Sequence, residues 1–243
     1  MRRFGLIGFP LGHSFSVGYF ADKFAREAIV DASYENFPLE TIEDLPALLR
    51  EKSDLCGLNV TIPYKRQVIP YLDALSEEAR QIGAVNCIRI DRGRLTGYNT
   101  DAYGFRRSLE TLIGTQRPDA LVLGTGGASE AVRFVLESLG IRYRMVSRSA
   151  GSDRLTYDEL TREIVTEHRL IVNTTPVGMY PHTNEAPALP YNAIGEGHFL
   201  FDLIYNPAQT QFLAAGEKRG ARTVNGAQML IDQADKSWEI WNS

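Results

Sequence analysis

The chain has 243 residues, 44% of them hydrophobic and 23% charged, enough for one large domain or two of ordinary size with real cores. Its 26 Lys and Arg against 30 Asp and Glu leave a formal net charge of -4, so no broad cationic field grips phosphate backbones or anionic lipid, which excludes nucleic acid and membrane as first partners. Met1-Arg2-Arg3 ahead of Phe4 to Phe9 mimics a signal peptide, but Pro10, Gly12, His13 and Ser14 cut the apolar run short; the reading is a soluble, cytoplasmic protein. Cys56 and Cys87 lie in separate apolar runs and predict two buried thiols rather than a disulfide framework or a zinc site.

From the N-terminus, strand-like runs fall at Arg3-Gly8, Ala32-Phe37, Cys56-Val60, Ala84-Ile90 and Leu95-Tyr98, with helical patterns between them, an α/β alternation. One helix carries Phe20, Phe24 and Ala28 at four-residue spacing; another follows Thr100-Asp101, which can cap it, with Phe105, Leu109 and Leu112 on one face. Gly114 to Pro118 breaks the pattern, and the domain boundary is expected close to Gly114. Beyond it come a strand at Ala120-Leu123, a Gly-rich turn, a helix with Val132, Val135, Leu136 and Leu139 on one stripe, and a strand at Arg142-Val146. Together they make a βαβ unit of about thirty residues. Short strands at Leu170-Asn173 and Phe199-Ile204 extend it into a second, doubly wound sheet. Gly226 to Trp241 reads as a helix with Leu230, Ala234, Trp238 and Trp241 on one side. It could pack on the second sheet or cross back to the first domain and make that domain discontinuous.

The most mechanical signal is Gly124-Thr125-Gly126-Gly127-Ala128-Ser129, set between a strand and an amphipathic helix. Glycines there let the backbone turn tightly and approach a pyrophosphate at the positive helix N-terminus. Ser129 stands where the sixth position of the fingerprint carries Gly or Ala. The next strand ends Ser147-Arg148-Ser149, with no carboxylate before Asp153. An NAD site asks for an acidic side chain about 20 residues on, to accept from the ribose 2′-hydroxyl. A guanidinium flanked by two hydroxyls answers a 2′-phosphate instead, so NADP is the expected cofactor.

In the first half, Asn59 to Lys65 follows a buried strand and enters a helix through Pro63, which sets Lys65 one turn into that helix. Alone, such a lysine is a surface charge. It gains weight from Gly97-Tyr98-Asn99-Thr100-Asp101 at another strand end, since strand C-termini in open α/β sheets collect ligands; Asp101 could equally be an N-cap. Asn86 and Gln233 are polar among apolar neighbours, and either could simply satisfy nearby backbone groups. Gly12-His13-Ser14-Phe15-Ser16 imitates a nucleophile elbow, but Ser16 takes the place of the second Gly, which excludes a serine hydrolase. His13, His168, His182 and His198 lack metal-ligand spacing.

Taken together, these segments resemble the shikimate dehydrogenases over almost the whole chain. The matching pieces are Gly8-Phe9-Pro10 through Ser16, Asn59 to Lys65, Gly83 to Cys87, Asn99-Thr100-Asp101, Gly124 to Ala128, Asn173 to Met179, Asp202 to Pro207, and Gly226 to Leu230 with Gln233. The resemblance implies an N-terminal α/β substrate domain of residues 1–113 plus 226–243, a Rossmann-type NADP domain of residues 114–225, and an active-site cleft between two lobes. It implies NADPH-dependent reduction of 3-dehydroshikimate to shikimate, on the way to chorismate and the aromatic amino acids. Lys65 and Asp101 then resemble the catalytic pair. Ser14 and Ser16 match hydroxyls that hold the substrate carboxylate, and Thr61, Asn86, Asp101, Tyr205 and Gln233 match groups around the ring hydroxyls. The cofactor would lie on Gly124, Thr125, Gly126, Gly127 and Ala128, on Ser147, Arg148 and Ser149, and on Thr174, Leu203 and Gly226. The family usually carries another basic residue and a longer helix after the position of Ser149. Here Ala150 to Arg154 is short, expected to be partly flexible, with Arg154 the only nearby substitute. A monomer or a homodimer fits.

Two rival readings remain at this level. A quinate/shikimate dehydrogenase using NAD would carry an acidic residue at the tip that reads Ser147-Arg148-Ser149. A non-catalytic dinucleotide or ligand sensor on the same scaffold would need neither Lys65 nor Asp101 beside its ligand.

Overall fold

The computed structural model describes residues 1–12 and 15–243. The chain divides into two compact units, Met1–Thr100 with Gln233–Ser243, and Asp101–Asp232.

The first unit carries β1 (Arg2–Gly8), α1 (Phe15–Arg26), β2 (Ala32–Pro38), α2 (Leu45–Glu51), β3 (Leu55–Val60), β4 (Ala74–Leu75), α3 (Glu77–Ile82), β5 (Cys87–Asp91) and β6 (Arg94–Tyr98). Its sheet runs β2-β1-β3-β5-β6-β4. β1 pairs in parallel with β2 and β3, while β5 is antiparallel to β3 and to β6. The central strands read as near-continuous apolar runs because both faces are covered; Phe4, Ile7, Leu58 and Ile88 are fully buried. The β5–β6 hairpin closes through Arg92 and Gly93, both at positive φ (51° and 80°), the backbone a two-residue type I′ turn requires. Ser76 caps α3 by accepting from the Ala79 N–H at 3.1 Å.

The second unit begins within α4 (Thr100–Ile113) and continues through β7 (Ala120–Leu123), α5 (Gly127–Ser138), β8 (Tyr143–Ser147), β9 (Arg154–Thr156), α6 (Arg162–Glu167), β10 (Leu170–Asn173), β11 (Phe199–Asp202), α7 (Gln211–Glu217) and β12 (Arg222–Val224) into α8 (Ala227–Trp241). Its sheet runs β12-β11-β10-β7-β8-β9 and every pairing is parallel. This is the doubly wound order, with the switch point between β7 and β10.

The two compact units divide inside α4, after Thr100, and inside α8, after Asp232. Phe105 on α4 packs edge-on against Phe201 of β11 with centroids 4.8 Å apart, which ties the body of α4 to the second sheet. The last turns of α8 belong to the first unit: Trp241 stacks on Phe4 at 4.8 Å and its indole N–H donates to the Ile88 carbonyl at 3.0 Å.

Three local expectations are corrected. No helix follows Pro63. Residues 62–68 form successive turns ending in a 3-10 turn at Ile69–Tyr71, because the Lys65 carbonyl that a helix would offer to Ile69 accepts instead from the Val85 N–H at 2.7 Å. The stretch after Ser149 is no loose loop, since Gly151 bridges to Arg154 and the chain enters β9 at once. Of the two thiols only Cys87 is buried; Cys56 is half-buried.

Gly57 on β3 lies directly under Trp241. A Cβ there would fall 2.3 Å from the indole Cδ1 and Nε1. Gly57→Ala is expected to destabilise the protein by about 1–3 kcal/mol through overpacking, read as a lower urea midpoint with a shifted tryptophan emission. An unchanged midpoint would contradict this packing.

Candidate active site

In the second unit the C-terminal strand ends are bound to one another. The Gly124 N–H donates to the Val146 carbonyl at 2.8 Å, Thr174 N–H to Leu123 at 2.9 Å and Leu203 N–H to Asn173 at 3.0 Å. The Thr174 hydroxyl adds a second bond to the Leu123 carbonyl at 2.7 Å. Above these ends opens a cavity of about 640 Å³, lined by Gly124, Thr125, Gly126, Ser147, Arg148, Ser149 and Thr174 together with Tyr157, Thr175 to Val177 and Ala186 to Ala188. Its volume is in the range of small-molecule sites.

Glycine is required at the turn. Gly124 has φ +104°, and a Cβ there would approach the Thr174 hydroxyl to 2.8 Å, whereas a Cβ at Gly126 or Gly127 would meet only open space. No side chain caps the start of α5 at Gly126, which leaves the positive helix end to a ligand. Ser129 explains its departure from the fingerprint: it is buried, and its hydroxyl turns back to donate to the Gly126 carbonyl at 2.6 Å. Among the described residues Arg148 is the one cationic side chain lining the cavity, and no carboxylate lines it. Arg154 is directed elsewhere, lying across Gly151 and pairing with Asp153 at 2.9 Å.

Gly127 and Ala128, in the first turn of α5, and Leu203 and Gly226 are not among the lining residues. Leu203 and Gly226 pack on each other so closely that a Cβ on Gly226 would be 2.1 Å from the Leu203 carbonyl oxygen. Beneath the strand ends Asp202 is fully buried. It accepts from Asn173 Nδ2 at 3.0 Å, Thr210 Oγ1 at 2.6 Å and the Ile204 N–H at 3.1 Å. Burial still dominates and pushes its carboxyl up to about 6, against the lowering by these donors.

In the first unit two of the polar side chains expected at the substrate, Asn86 and Gln233, meet in a buried network. Asn86 and Gln233 are buried, and Asn86 Nδ2 approaches Gln233 Oε1 to 3.4 Å. Ser16, in the first turn of α1, donates to the Tyr34 hydroxyl, whose phenol is pushed up by burial more than this bond lowers it. Ser14 lies outside the described residues. Thr61, just past β3, donates its N–H to the Ile7 carbonyl at 2.9 Å and so stands at the end of β1. Lys65 is half-buried in the turns that follow. Asp101 is the residue after Thr100, in the first turn of α4, and Tyr205 is a partly exposed residue of the second unit beyond β11. Among the described residues no cluster of His, Cys, Asp and Glu could hold a metal ion, and no helix is long and apolar enough to cross a membrane.

Residues 6–88 match the family model of the shikimate dehydrogenase substrate binding domain. Over 98% of its length the chain is 37% identical to the shikimate dehydrogenase (NADP(+)) of Carboxydothermus hydrogenoformans, covering 90% of that protein. The chain belongs to the shikimate dehydrogenase family. Its identity to the Clostridium beijerinckii member is 39%, covering 99% of this chain and 92% of the relative. Among solved structures, the Thermus thermophilus shikimate 5-dehydrogenase in complex with NADP(H) and shikimate superposes with a TM-score of 0.88 at 34% identity, over 99% of this chain and 93% of that one.

Within this family frame, sequence reasoning missed part of the cavity wall. Tyr157 arrives through β9, a three-residue strand too short for periodicity. Ala186 to Ala188 lie in a stretch without helix or strand, where no period marks a face. Asn59, Thr100 and Ser237 join Asn86 through hydrogen bonds between distant positions, which no local pattern in the sequence reveals.

Proposed function

We propose that the chain catalyses the reversible NADP(H)-dependent interconversion of 3-dehydroshikimate and shikimate. The Carboxydothermus hydrogenoformans and Clostridium beijerinckii relatives are named shikimate dehydrogenase (NADP(+)), and the Thermus thermophilus structure is a complex with NADP(H) and shikimate. The observation that carries the cofactor choice is the cavity wall: among the described residues Arg148 supplies its only positive charge, and no carboxylate there competes for a ribose 2′-hydroxyl. Glycines facing open space and an uncapped helix start supply room and N–H groups for a pyrophosphate, so the residues fit NADP.

When bound, NADPH supplies the hydride. Reduction of the ketone leaves negative charge on oxygen, and Lys65 answers it twice, as a nearby cation and as the donor of the proton that completes the hydroxyl. Asp101 orients the ammonium and accepts from a ring hydroxyl. Ser14 donates to the substrate carboxylate and Ser16 does so by turning its proton away from the Tyr34 hydroxyl, while Thr61, Asn86, Tyr205 and Gln233 surround the ring hydroxyls. Gly127, Ala128, Leu203 and Gly226 complete the cofactor side with the residues that line the cavity. We assign 1–113 with 226–243 as the substrate-binding and catalytic domain and 114–225 as the NADP-binding domain, with Tyr205 and Gly226 the two assigned residues that fall outside the bounds of their own domain. The partner is thus a small molecule, handled by a cytoplasmic monomer or homodimer.

Initial rates of oxidation test this reading. Shikimate with NADP+ is expected to be the fastest pair, ahead of shikimate with NAD+ and of quinate with either. Activity confined to quinate with NAD+ would overturn it, and ligand binding without turnover would favour a sensor. Arg148→Ala is expected to lower kcat/KM for NADP+ about 10- to 100-fold, the worth of a lost charge-assisted contact, with NAD+ nearly unaffected. Equal losses with both cofactors would remove Arg148 from the 2′-phosphate.

A further inference from the structure

A buried polar network includes two of the residues that the proposed function sets against the substrate ring, Asn86 and Gln233. Asn59, Asn86, Thr100, Gln233 and Ser237 are all buried, and Ser237 has no exposed surface at all. Each hydroxyl brings a single proton to this network, which limits the directions its bonds can take. The Tyr34 hydroxyl donates to Asn59 Oδ1 at 2.9 Å, so Asn59 turns its amide NH2 inward, to the Asn86 carbonyl at 3.1 Å and to Ser237 Oγ at 3.0 Å. The single proton of Ser237 goes to the Gln233 main-chain carbonyl at 2.9 Å. Ser237 Oγ and Thr100 Oγ1 are 3.1 Å apart and either can donate; with the Ser237 proton on the Gln233 carbonyl, Thr100 becomes the donor of that pair.

With its proton given to Ser237, Thr100 has only lone pairs to present on its other side. Asn86 Nδ2 fills this place at 3.0 Å, while Asn86 Oδ1 accepts the Thr100 N–H at 2.6 Å. This two-point grip decides which end of the Asn86 amide is which. Its NH2 then faces Gln233 Oε1 at 3.4 Å, which orients the Gln233 amide in turn. Without Ser237 the Thr100 proton would turn to Asn86 Oδ1, at 3.3 Å, or Gln233 Oε1, at 3.4 Å, and compete with the bonds that hold both amides.

We propose that Ser237 is a positioning residue for substrate recognition: by taking the Thr100 hydroxyl proton it sets the donor and acceptor polarity with which Asn86 and Gln233 meet the substrate hydroxyls. This rests on the reading of Asn86 and Gln233 as substrate ligands. Ser237 is on the inner face of α8 one turn after Gln233, so it acts through the network and not by touching substrate.

Steady-state kinetics with shikimate and NADP+ on Ser237→Ala, Thr100→Val and the double variant test it, with Asn86→Ala and Gln233→Ala alongside. Ser237→Ala and Thr100→Val are each expected to raise KM for shikimate about 5- to 10-fold, the loss of one net hydrogen bond, while KM for NADP+ stays within about twofold. The double variant is expected to match the single ones, since both remove the same bond. Should Ser237→Ala fail to fold, the near-isosteric Thr100→Val carries the test. Unchanged KM for shikimate in both variants while Asn86→Ala and Gln233→Ala raise it would overturn the role of Ser237 and keep the site. An equal rise for shikimate and NADP+ would reduce Ser237 to a structural residue. If Asn86→Ala and Gln233→Ala themselves leave KM for shikimate unchanged, the underlying site reading fails and the inference with it.

Discussion

Lys65→Ala is expected to lower kcat for shikimate oxidation about 10³-fold, within the usual range for loss of a general acid or base, while KM changes little. The reason is where the charge develops. Substrate and product are both uncharged at the reacting oxygen, so an ammonium beside it is felt mainly in the transition state, and such a loss appears in kcat. The turn that carries Lys65 should survive the change. Tyr64 is buried with its hydroxyl donating to the Leu39 carbonyl at 2.6 Å, Val68 is fully buried, and the Lys65 carbonyl is held by Val85. Lys65→Arg separates the two duties, since a guanidinium keeps the positive charge but does not surrender a proton near neutrality. It should remain nearly as slow as the alanine variant. Near-normal turnover of Lys65→Ala would remove the assignment.

The second large effect concerns Asp202 and is one of stability. Its carboxyl, fully buried under the ends of β10 and β11, is pushed up from 3.8 to about 6 by desolvation. Between these values the folded protein holds a proton that the unfolded chain has released, so stability falls as pH rises through this window. The contribution is fully present below about pH 4 and gone above about pH 6, a loss of about 3 kcal/mol at 1.36 kcal/mol for each pKa unit. Asp202→Asn is neutral at every pH, and its amide can still accept from Ile204 while facing the Thr210 hydroxyl. Urea midpoints of wild type and Asp202→Asn at pH 4.5 and 7.5 measure the difference. The variant should gain on the wild type by most of that amount at the higher pH. Parallel pH dependences would show that Asp202 ionises normally in the folded state.

Features set by neighbours along the chain were the ones legible in the sequence. The strand, Gly-rich turn and helix from Ala120 to Ser138 were read because a period and a turn residue are local signals. So was the contrast between Arg148 and an acidic tip. The turn at Lys65 was misread because the atom that breaks its helix, the Val85 N–H, comes from another segment. The network around Ser237 was invisible for the same reason. Thr100 and Ser237 are 137 positions apart, and nothing near either marks the other as its partner. Asp202 was noticed only as part of a family motif, because complete burial of a carboxylate depends on Asn173 and Thr210 closing over it.

The division of the chain also bears on how the protein is made. Phe4, Phe20 and Phe24 form one core cluster with Ala234 and Trp241, yet the whole of Asp101–Asp232 is translated between them. At about 5–20 residues per second, the aromatic face of the first unit waits on the order of ten seconds before its covering helix emerges. During that interval a nascent chain carries an unburied phenylalanine surface, while the second unit, continuous in sequence, can complete its sheet. Slow translation between Asp101 and Gln233 would therefore lengthen the exposure of the first unit to misassociation.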